Sequence, residues 1–325
     1  MSMIQVHEAR DQILSKITIK GVEKVSLDQA LGRVLSEDIT SLINNPPLDN
    51  SAMDGYALIA ADIQSATPES PVKLKVVEEI AAGYEAKGIL KPGQAMRIMT
   101  GAPIPQGANA VLMQEDTEKE GNAILCMDKA DDQENIREAG EDVKVGETVL
   151  KKGTTLTPAH IGMLAVIGRS QIAVSQRPTV AILSTGDEIL ELDEVPEGPQ
   201  IFNSNGHMLS AQIKSAGGIP IYLGIAKDTE EDLMEKFAWA LKADIVVSSG
   251  GVSVGDYDLV KSSLQKMGQD MLFWKVAMKP GKPLAFGRIG KIPIFGLPGN
   301  PVSSFVSFEQ FVRPSLRKVL GCSDL

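Results

Sequence analysis

The second half of the chain alternates short strand-like runs with amphipathic helical patterns, and this alternation constrains the fold more than any other feature. The strand-like runs are Val180–Leu183, Ile219–Ile225, Asp244–Val247 and Pro293–Phe295. Strands that are apolar along their length are typical of a parallel sheet that helices cover on both faces. Residues 178–325 are therefore predicted to form a doubly wound, mostly parallel α/β sheet domain.

Small, polar or acidic segments follow all four runs. They are Ser184–Glu188, Lys227-Asp228, Ser248–Asp256 and Gly296–Ser304. The carboxyl ends of parallel strands meet at one edge of a sheet, and ligands bind beyond that edge. Each segment taken singly is equally typical of an ordinary turn, but together they predict one ligand site. Its expected ligand contacts are Thr185, Gly186, Ser249, Gly250, Gly251, Ser253, Pro298, Gly299 and Asn300.

The glycine-rich segment Ser249–Asp256 suits a phosphate or pyrophosphate, which backbone amides and a helix N-terminus bind well. Its spacing matches neither a Walker loop nor a dinucleotide-binding fingerprint. Several carboxylates gather near the same predicted edge, and their oxygen atoms suit Mg²⁺ or another hard divalent cation. They are Asp187, Glu188, Asp228, Asp256 and Asp258. Asp256 and Asp258 are also suited to capping the next helix.

Three lysines, Lys275, Lys279 and Lys282, lie within a segment that two prolines and a glycine constrain. If the segment is extended, Lys275 and Lys279 share a face, because side chains alternate along a strand. Such a pair can neutralise a phosphate or an oxyanion. The alternative is a solvated loop with no ligand.

The first half of the chain predicts a β-rich domain inserted into a second one. Residues 1–45 have a helical pattern, with a capping-box spacing from Ser26 to Gln29. Residues 46–140 are rich in Gly and Pro between short apolar runs, which is typical of strands and turns. Residues 141–177 predict a hairpin at Glu147–Leu150 and then a helix after Thr157. We therefore predict a discontinuous mixed α+β domain, 1–45 with 141–177.

Composition excludes several classes of function. The net charge of −10 argues against a general nucleic-acid surface. No apolar run approaches the ~18 residues of a membrane-spanning helix, and Met1–Arg10 has no apolar block typical of a signal peptide. The two cysteines, Cys126 and Cys322, form no disulfide framework and no zinc motif, as expected of a cytoplasmic protein.

Seven segments, in order along nearly the whole chain, resemble the molybdopterin molybdenumtransferase family, to which bacterial MoeA and the C-terminal domain of gephyrin belong. They are Asp49–Ala57, Arg97–Pro103, Asn135–Asp142, Ser184–Glu188, Ser248–Gly255, Lys279–Pro283 and Gly296–Val302. The resemblance implies an enzyme that inserts molybdate into adenylylated molybdopterin and releases AMP, with a divalent cation. It also implies a homodimer whose cleft joins the α/β domain of one subunit to the inserted domain of the other. The role of the discontinuous domain as linker and in dimerisation is likewise implied by the resemblance.

The resemblance further assigns roles by position. Its functional carboxylates correspond to Asp54, Asp142, Glu188, Asp228 and Asp258, and its functional lysines to Lys275 and Lys279. Thr100 and Arg137 match further positions in the family's site region, and Asp54 would act across the dimer. Molybdopterin adenylyltransferase is the expected pathway partner. Neither a nucleic acid nor a membrane is expected as a partner.

Two departures from the family keep alternatives open. Asn203 stands where the family usually has aspartate, and the sequence ends at Leu325, without the small C-terminal β-domain with which the family normally continues. One alternative is a molybdopterin adenylyltransferase, which the inserted domain with Asp49–Ala57 disfavours. The other is a catalytically inactive molybdopterin-binding scaffold.

Overall fold

A computed structural model describes residues 3–250 and 259–325 of the chain. These residues form two compact units. The α/β unit comprises residues 3–37, Lys151–Gly162 and the described part of Ser170–Leu325. The β unit comprises Asp38–Leu150 and Met163–Arg169.

The described helices are α1 Val6–Ser15, α2 Pro158–Val166, α3 Ser204–Ser215, α4 Glu230–Ala240, α5 Leu259–Lys266, α6 Pro301–Ser307 and α7 Arg313–Val319, and a π-helical segment, Phe308–Val312, joins the last two. The strands are β1 Val22–Ser26, β2 Ile39–Thr40, β3 Asn50–Ser51, β4 Gly55–Leu58, β5 Val72–Ile80, β6 Gln94–Ile98, β7 Ala110–Met113, β8 Thr117–Glu120, β9 Ala123–Cys126, β10 Ile136–Arg137, β11 Thr148–Leu150, β12 Gln171–Ser175, β13 Thr179–Thr185, β14 Ile189–Leu190, β15 Ile201–Phe202, β16 Ile219–Ala226, β17 Ile245–Ser249, β18 Asp270–Lys275, β19 Pro283–Ile289 and β20 Ile292–Leu297. None of the helices in the described ranges is long and apolar enough to span a membrane.

The α/β unit contains a six-stranded sheet in the order β16-β13-β17-β20-β19-β18. The first four strands are parallel to one another. Along β13, Val180 and Ile182 pack into one core with Ile213 of α3, whereas Ala181 packs into the other with Phe237 of α4. Helices therefore cover both faces of the sheet, and the predicted mixed α/β character of this region is confirmed.

The far edge of this sheet differs from the sequence-based expectation. β18 and β19 pair antiparallel, and β19 pairs antiparallel with β20. β18 ends at Lys275, and the chain then turns back, with the N–H of Val276 donating to the carbonyl of Lys282 at 3.0 Å. Lys279 lies in this turn beyond the end of the strand, so the segment is not extended from Lys275 to Lys279, and the prediction that the two lysines share a strand face is wrong.

The prediction of a helical N-terminus is correct only for α1. β1 pairs antiparallel with β12, a strand that is distant in sequence. Ser26 makes no side-chain capping bond and precedes only a single 3₁₀ turn, Leu27–Gln29. Gly32 follows with φ +73, a left-handed conformation that ends helical propagation.

The hairpin predicted at Glu147–Leu150 is also wrong. β11 pairs with β2, more than a hundred residues earlier in the chain. Gly153 does turn the chain, with φ +85, but its N–H donates to the carbonyl of Leu35 at 2.8 Å rather than closing a local hairpin.

The β unit contains a second six-stranded sheet in the order β7-β4-β6-β5-β9-β8. All its pairings are antiparallel except that of β5 with β6. All four residues of β4 are buried, because β4 is an inner strand with apolar side chains packed on both faces. One face packs Leu58 with Leu112 and Ile124, and the other packs Ala57 with Met96.

Candidate functional site

A cavity of about 600 Å³ lies in the α/β unit beyond the carboxyl ends of β13, β16, β17 and β20. Residues from all four predicted loops line it, together with the start of α3 and the β14–β15 ribbon. Nine of the residues predicted to form the site lie in its wall: Thr185, Gly186, Glu188, Asp228, Ser249, Gly250, Pro298, Gly299 and Asn300. The apolar runs and small loops of the sequence thus converge on one edge of the sheet, as parallel strands require.

Gly250 brings two strand ends together at the floor of this cavity. Its φ is +93, and a Cβ at this position would lie 2.4 Å from the carbonyl oxygen of Thr185, so only glycine fits. The N–H of Gly250 donates to the carbonyl of Leu297 at 3.2 Å. That amide is therefore engaged within the fold, and the β17 loop is fixed against both β13 and β20.

Asn205, one residue into α3, is a wall residue that sequence reasoning did not assign to the site. Its Nδ2 donates to Ser249 Oγ at 2.8 Å and to the carbonyl of Gly299 at 2.7 Å. Asn205 Oδ1 and Thr185 Oγ1 are buried and have no hydrogen-bond partner among the residues that the structure describes. Buried polar atoms are usually paired, so these two oxygens are the wall atoms best placed to meet a ligand.

Three carboxylates lie at the rim. The backbone N–H of Asp228 donates to Asp187 Oδ1 at 3.1 Å. Burial, and the neighbouring charges of Asp187 and Glu188, raise the pKa of Asp228 above its usual value. The rim thus concentrates negative charge, which a cation would relieve. Within residues 3–250 and 259–325, however, no three acidic, histidine or cysteine side chains form a complete metal site.

Four of the predicted site residues, Gly251, Ser253, Asp256 and Asp258, lie outside the described residues. The predicted lysines are described, but they do not line the cavity. Lys275 is half-buried at the end of β18, and Lys279 and Lys282 are exposed. Lys282 immediately precedes Pro283, which does line it.

The β unit holds a separate group of predicted site residues. Asp54 Oδ1 accepts hydrogen bonds from the backbone N–H of Thr100 at 2.7 Å and from its hydroxyl at 2.8 Å. These two bonds lower the pKa of Asp54; slight burial opposes them, and the positive charge of Arg97 adds to them. Asp54 therefore stays ionised to lower pH than an ordinary aspartate.

Asp142 and Arg137 lie on neighbouring segments of the same unit. Asp142 Oδ2 accepts a hydrogen bond from Asn45 Nδ2 at 3.1 Å. Arg137 is exposed at the end of β10, which pairs with β3 inside the Asp49–Ala57 segment. This segment is further fixed by the N–H of Ala52, which donates to the carbonyl of Asn135 at 2.9 Å.

Two family models match the chain. One, described as the MoeA N-terminal region (domains I and II), matches residues 4–168, and the other, described as a probable molybdopterin-binding domain, matches residues 181–318. A molybdopterin molybdenumtransferase of Nostoc sp. is 43% identical over 303 residues, which are 92% of this chain and 70% of that protein. The chain belongs to the molybdopterin molybdenumtransferase family.

Further relatives agree with this assignment. A molybdopterin molybdenumtransferase of Haemophilus influenzae is 39% identical over 322 residues, 98% of this chain and 78% of that protein. A crystal structure of a molybdopterin biosynthesis MoeA protein from Pyrococcus horikoshii superposes with a TM-score of 0.86 at 36% identity, covering 99% of this chain and 80% of that one. The resemblance drawn from the motifs is therefore confirmed.

Within this molybdopterin molybdenumtransferase family member, Asn203 marks the departure noted in the sequence. It is 2% exposed and lines the cavity just before α3. Its Oδ1 caps α3 by accepting the N–H of Gly206 at 3.0 Å, and it also accepts the hydroxyl of Ser184 at 2.9 Å. Asparagine is as good a helix cap as aspartate, so the substitution preserves the start of α3.

Proposed function

We propose that this chain inserts molybdate into adenylylated molybdopterin and releases AMP, as a step of molybdenum cofactor biosynthesis. The observation that carries the proposal is the cavity at the ends of four parallel strands. Its wall combines buried oxygens that have no partner within residues 3–250 and 259–325 with acidic residues at its rim. Family membership supports the reaction class, because the curated relatives are named molybdopterin molybdenumtransferases. The substrate's dithiolene supplies the sulfur atoms for the metal, so the enzyme itself needs no cysteine ligand.

The wall residues would bind the substrate through polar contacts. Thr185 and Asn205 present oxygens that have no hydrogen-bond partner among the described residues, and Ser249 adds a hydroxyl that contacts Asn205. The glycine-rich loop after Ser249 would receive the phosphates, because small residues let backbone and ligand approach closely. Pro298, Gly299 and Asn300 complete the wall.

Mg²⁺ or another divalent cation would be held by Asp187, Glu188 and Asp228, with Asp256 as a further candidate. The donor set fits, because Mg²⁺ prefers oxygen and usually binds through one or two carboxylates plus substrate phosphates, rather than in a complete protein cage. When bound, the cation would neutralise charge on the phosphates. Where the neighbouring carboxylates hold the cation, Asp228, whose pKa is raised, is the carboxyl best suited to exchange a proton with the substrate.

The three lysines and residues of the β unit would supply the other groups that contact molybdate and the substrate. We propose that Lys275, Lys279 and Lys282 attract molybdate and the substrate's phosphates. We further propose a homodimer in which Asp54, with Thr100, Arg137 and Asp142, reaches the α/β unit of the other subunit. The division into three domains (1–45 with 141–177, 46–140 and 178–325) is part of the same proposal, as is a cytoplasmic location.

The test is AMP release from adenylylated molybdopterin by the purified chain with Mg²⁺, with and without molybdate. Molybdate-dependent release is the expected result. Consumption of ATP with molybdopterin, and no reaction of the adenylylated form, would instead identify an adenylyltransferase. Tight binding of adenylylated molybdopterin with no release under any condition would identify a binding scaffold and refute the proposed activity.

A further inference from the structure

The cavity has one apolar wall, formed by the short β14–β15 ribbon. Ile189 of β14 and Ile201 and Phe202 of β15 line the cavity. Ile201 is 57% exposed and Phe202 45% exposed. A two-stranded ribbon with exposed apolar side chains is marginally stable by itself. Contacts with the rest of the α/β unit must therefore hold this wall in place.

The residue after each ribbon strand is tied to the main sheet through the same tyrosine. Glu191 follows β14, Asn203 follows β15, and Tyr222 belongs to β16. Asn203 Nδ2 donates to the hydroxyl of Tyr222 at 2.6 Å, and that hydroxyl donates to Glu191 Oε1 at 2.5 Å. The missing side chain of Gly206 makes room for the tyrosine ring, since a Cβ there would lie 2.6 Å from Tyr222 Cε2.

The direction of this chain of hydrogen bonds is fixed by a backbone donor. The N–H of Gly206 can only donate, so the atom of Asn203 that it contacts must be the acceptor Oδ1. The amide nitrogen of Asn203 therefore faces Tyr222 and donates to its hydroxyl oxygen. The Tyr222 hydroxyl must then donate its single hydrogen to Glu191. Burial and the hydrogen bond to Glu191 raise the pKa of Tyr222, which keeps the phenol protonated.

We propose that Asn203, Tyr222 and Glu191 form a one-directional hydrogen-bond relay that positions the apolar Ile189/Ile201/Phe202 wall for the flat heteroaromatic part of the substrate. Asn203 sets the direction of the relay, since aspartate at this position has no donor for Tyr222. This inference rests on the proposed function for the identity of the substrate. The relay residues are positioning residues, and they act through the wall.

Asn203→Asp is the sharpest perturbation, because it retains the cap of α3 and the contact with Ser184 but replaces the donor to Tyr222 with a buried, negatively charged acceptor. Tyr222 then faces two carboxylates with one proton to give. We expect KM for adenylylated molybdopterin to rise about tenfold, the usual effect of leaving one buried polar contact unpaired. We expect kcat to change little, because the wall binds substrate and transition state alike.

Glu191→Gln should rescue Asn203→Asp by reversing the relay. The amide that this second substitution introduces would donate to Tyr222, and Tyr222 would donate to the new carboxylate at position 203. The matched control is Asn203→Asp with Glu197→Gln, which has the same net charge and changes the same loop but does not alter a residue in contact with Tyr222. All variants are assayed at one pH, because the His207 ring packs against Tyr222 at 5.5 Å between centroids.

The relay predicts that Glu191→Gln restores KM to within about twofold of wild type and that Glu197→Gln does not. Equal rescue by both, or wild-type KM in Asn203→Asp, would overturn it. Tyr222→Phe covers the case in which Asn203→Asp does not fold: it should raise KM about tenfold, and an unchanged KM would refute the relay.

Thermal unfolding midpoints test the relay independently of the proposed function. Asn203→Asp should lower the midpoint by about 2–4 °C, with rescue by Glu191→Gln only. If the wild-type chain releases no AMP, the proposed function fails, and the midpoints still decide the relay. Midpoints that do not distinguish the two double variants would then count against it.

Discussion

Gly250→Ala tests whether the cavity floor must be as tight as the structure shows. An alanine Cβ would lie 2.4 Å from the carbonyl oxygen of Thr185, whereas ordinary contacts begin at 3.4 Å. The β13 and β17 ends must therefore separate by about 1 Å, the difference between these two distances. A displacement of about 1 Å in a reacting site can lower turnover about 10²-fold.

Gly268→Ala is the matched control. Gly268 has a similar φ of +82, but nothing lies within 4 Å of a Cβ at this position, and it is remote from the cavity wall. Both variants incur the cost of a non-glycine residue with positive φ, about 1–3 kcal/mol of unfolding free energy. Only Gly250→Ala incurs the additional displacement of the site.

The assay is molybdate-dependent AMP release, together with urea unfolding of both variants. We expect both proteins to lose stability, and only Gly250→Ala to lose turnover, by about 10²-fold. Wild-type turnover in folded Gly250→Ala would show that activity does not need the close approach of the β13 and β17 ends. Equal losses of turnover in both variants would show that general destabilisation, rather than the strand ends, controls activity.

Three further predictions address other parts of the molecule. Asp228→Asn should lower turnover about 10²-fold. It should not lower the unfolding midpoint, because the folded state disfavours the ionised form of Asp228. Wild-type AMP release by this variant would contradict the role of Asp228. Lys20→Met should cost about 0.5–1 kcal/mol at neutral pH, since this partly exposed ion pair with Asp244 is screened by solvent. Burial alone would raise the pKa of Asp244, but the hydrogen bonds from Lys20 and Thr179 outweigh it and lower the pKa. The difference in stability should therefore shrink as the pH falls through that lowered pKa; urea titrations that show a constant difference would disprove the linkage. Mixed dimers of Asp54→Ala and Lys279→Ala chains should regain part of the activity that each variant lacks, and verified mixed dimers with no recovery would exclude a site shared between subunits.

The sequence predicted the strand-end loops well because they depend on local signals. Apolar runs such as Val180–Leu183 place alternate residues in two cores, so they form inner strands of a covered sheet. Thr229 caps α4 as its position before three acidic residues suggests. The carboxyl ends of such strands must then meet, which brings Thr185, Asp228, Ser249 and Asn300 together.

The errors share one physical cause, which is long-range pairing. β1 was predicted to be helical, and β11 was predicted to lie in a hairpin. Both predictions failed because the partner strands, β12 and β2, are far away in the sequence. The turn after Lys275 was missed because its closing bond, from Val276 to Lys282, depends on the antiparallel edge strands.

Asn205 was missed for a related reason. A polar residue in the first turn of a helix is ordinary in sequence. Only the approach of the Ser249 and Gly299 loops makes it a wall residue that fixes both of them.

The most direct test of the cavity as the substrate site is a crystal structure of the chain with AMP bound. AMP electron density is expected in the cavity beyond β13, β16, β17 and β20, with AMP contacts to Thr185, Ser249 or Asn205. AMP density elsewhere on the α/β unit, with the cavity unaltered, would contradict the assignment of this cavity as the substrate site.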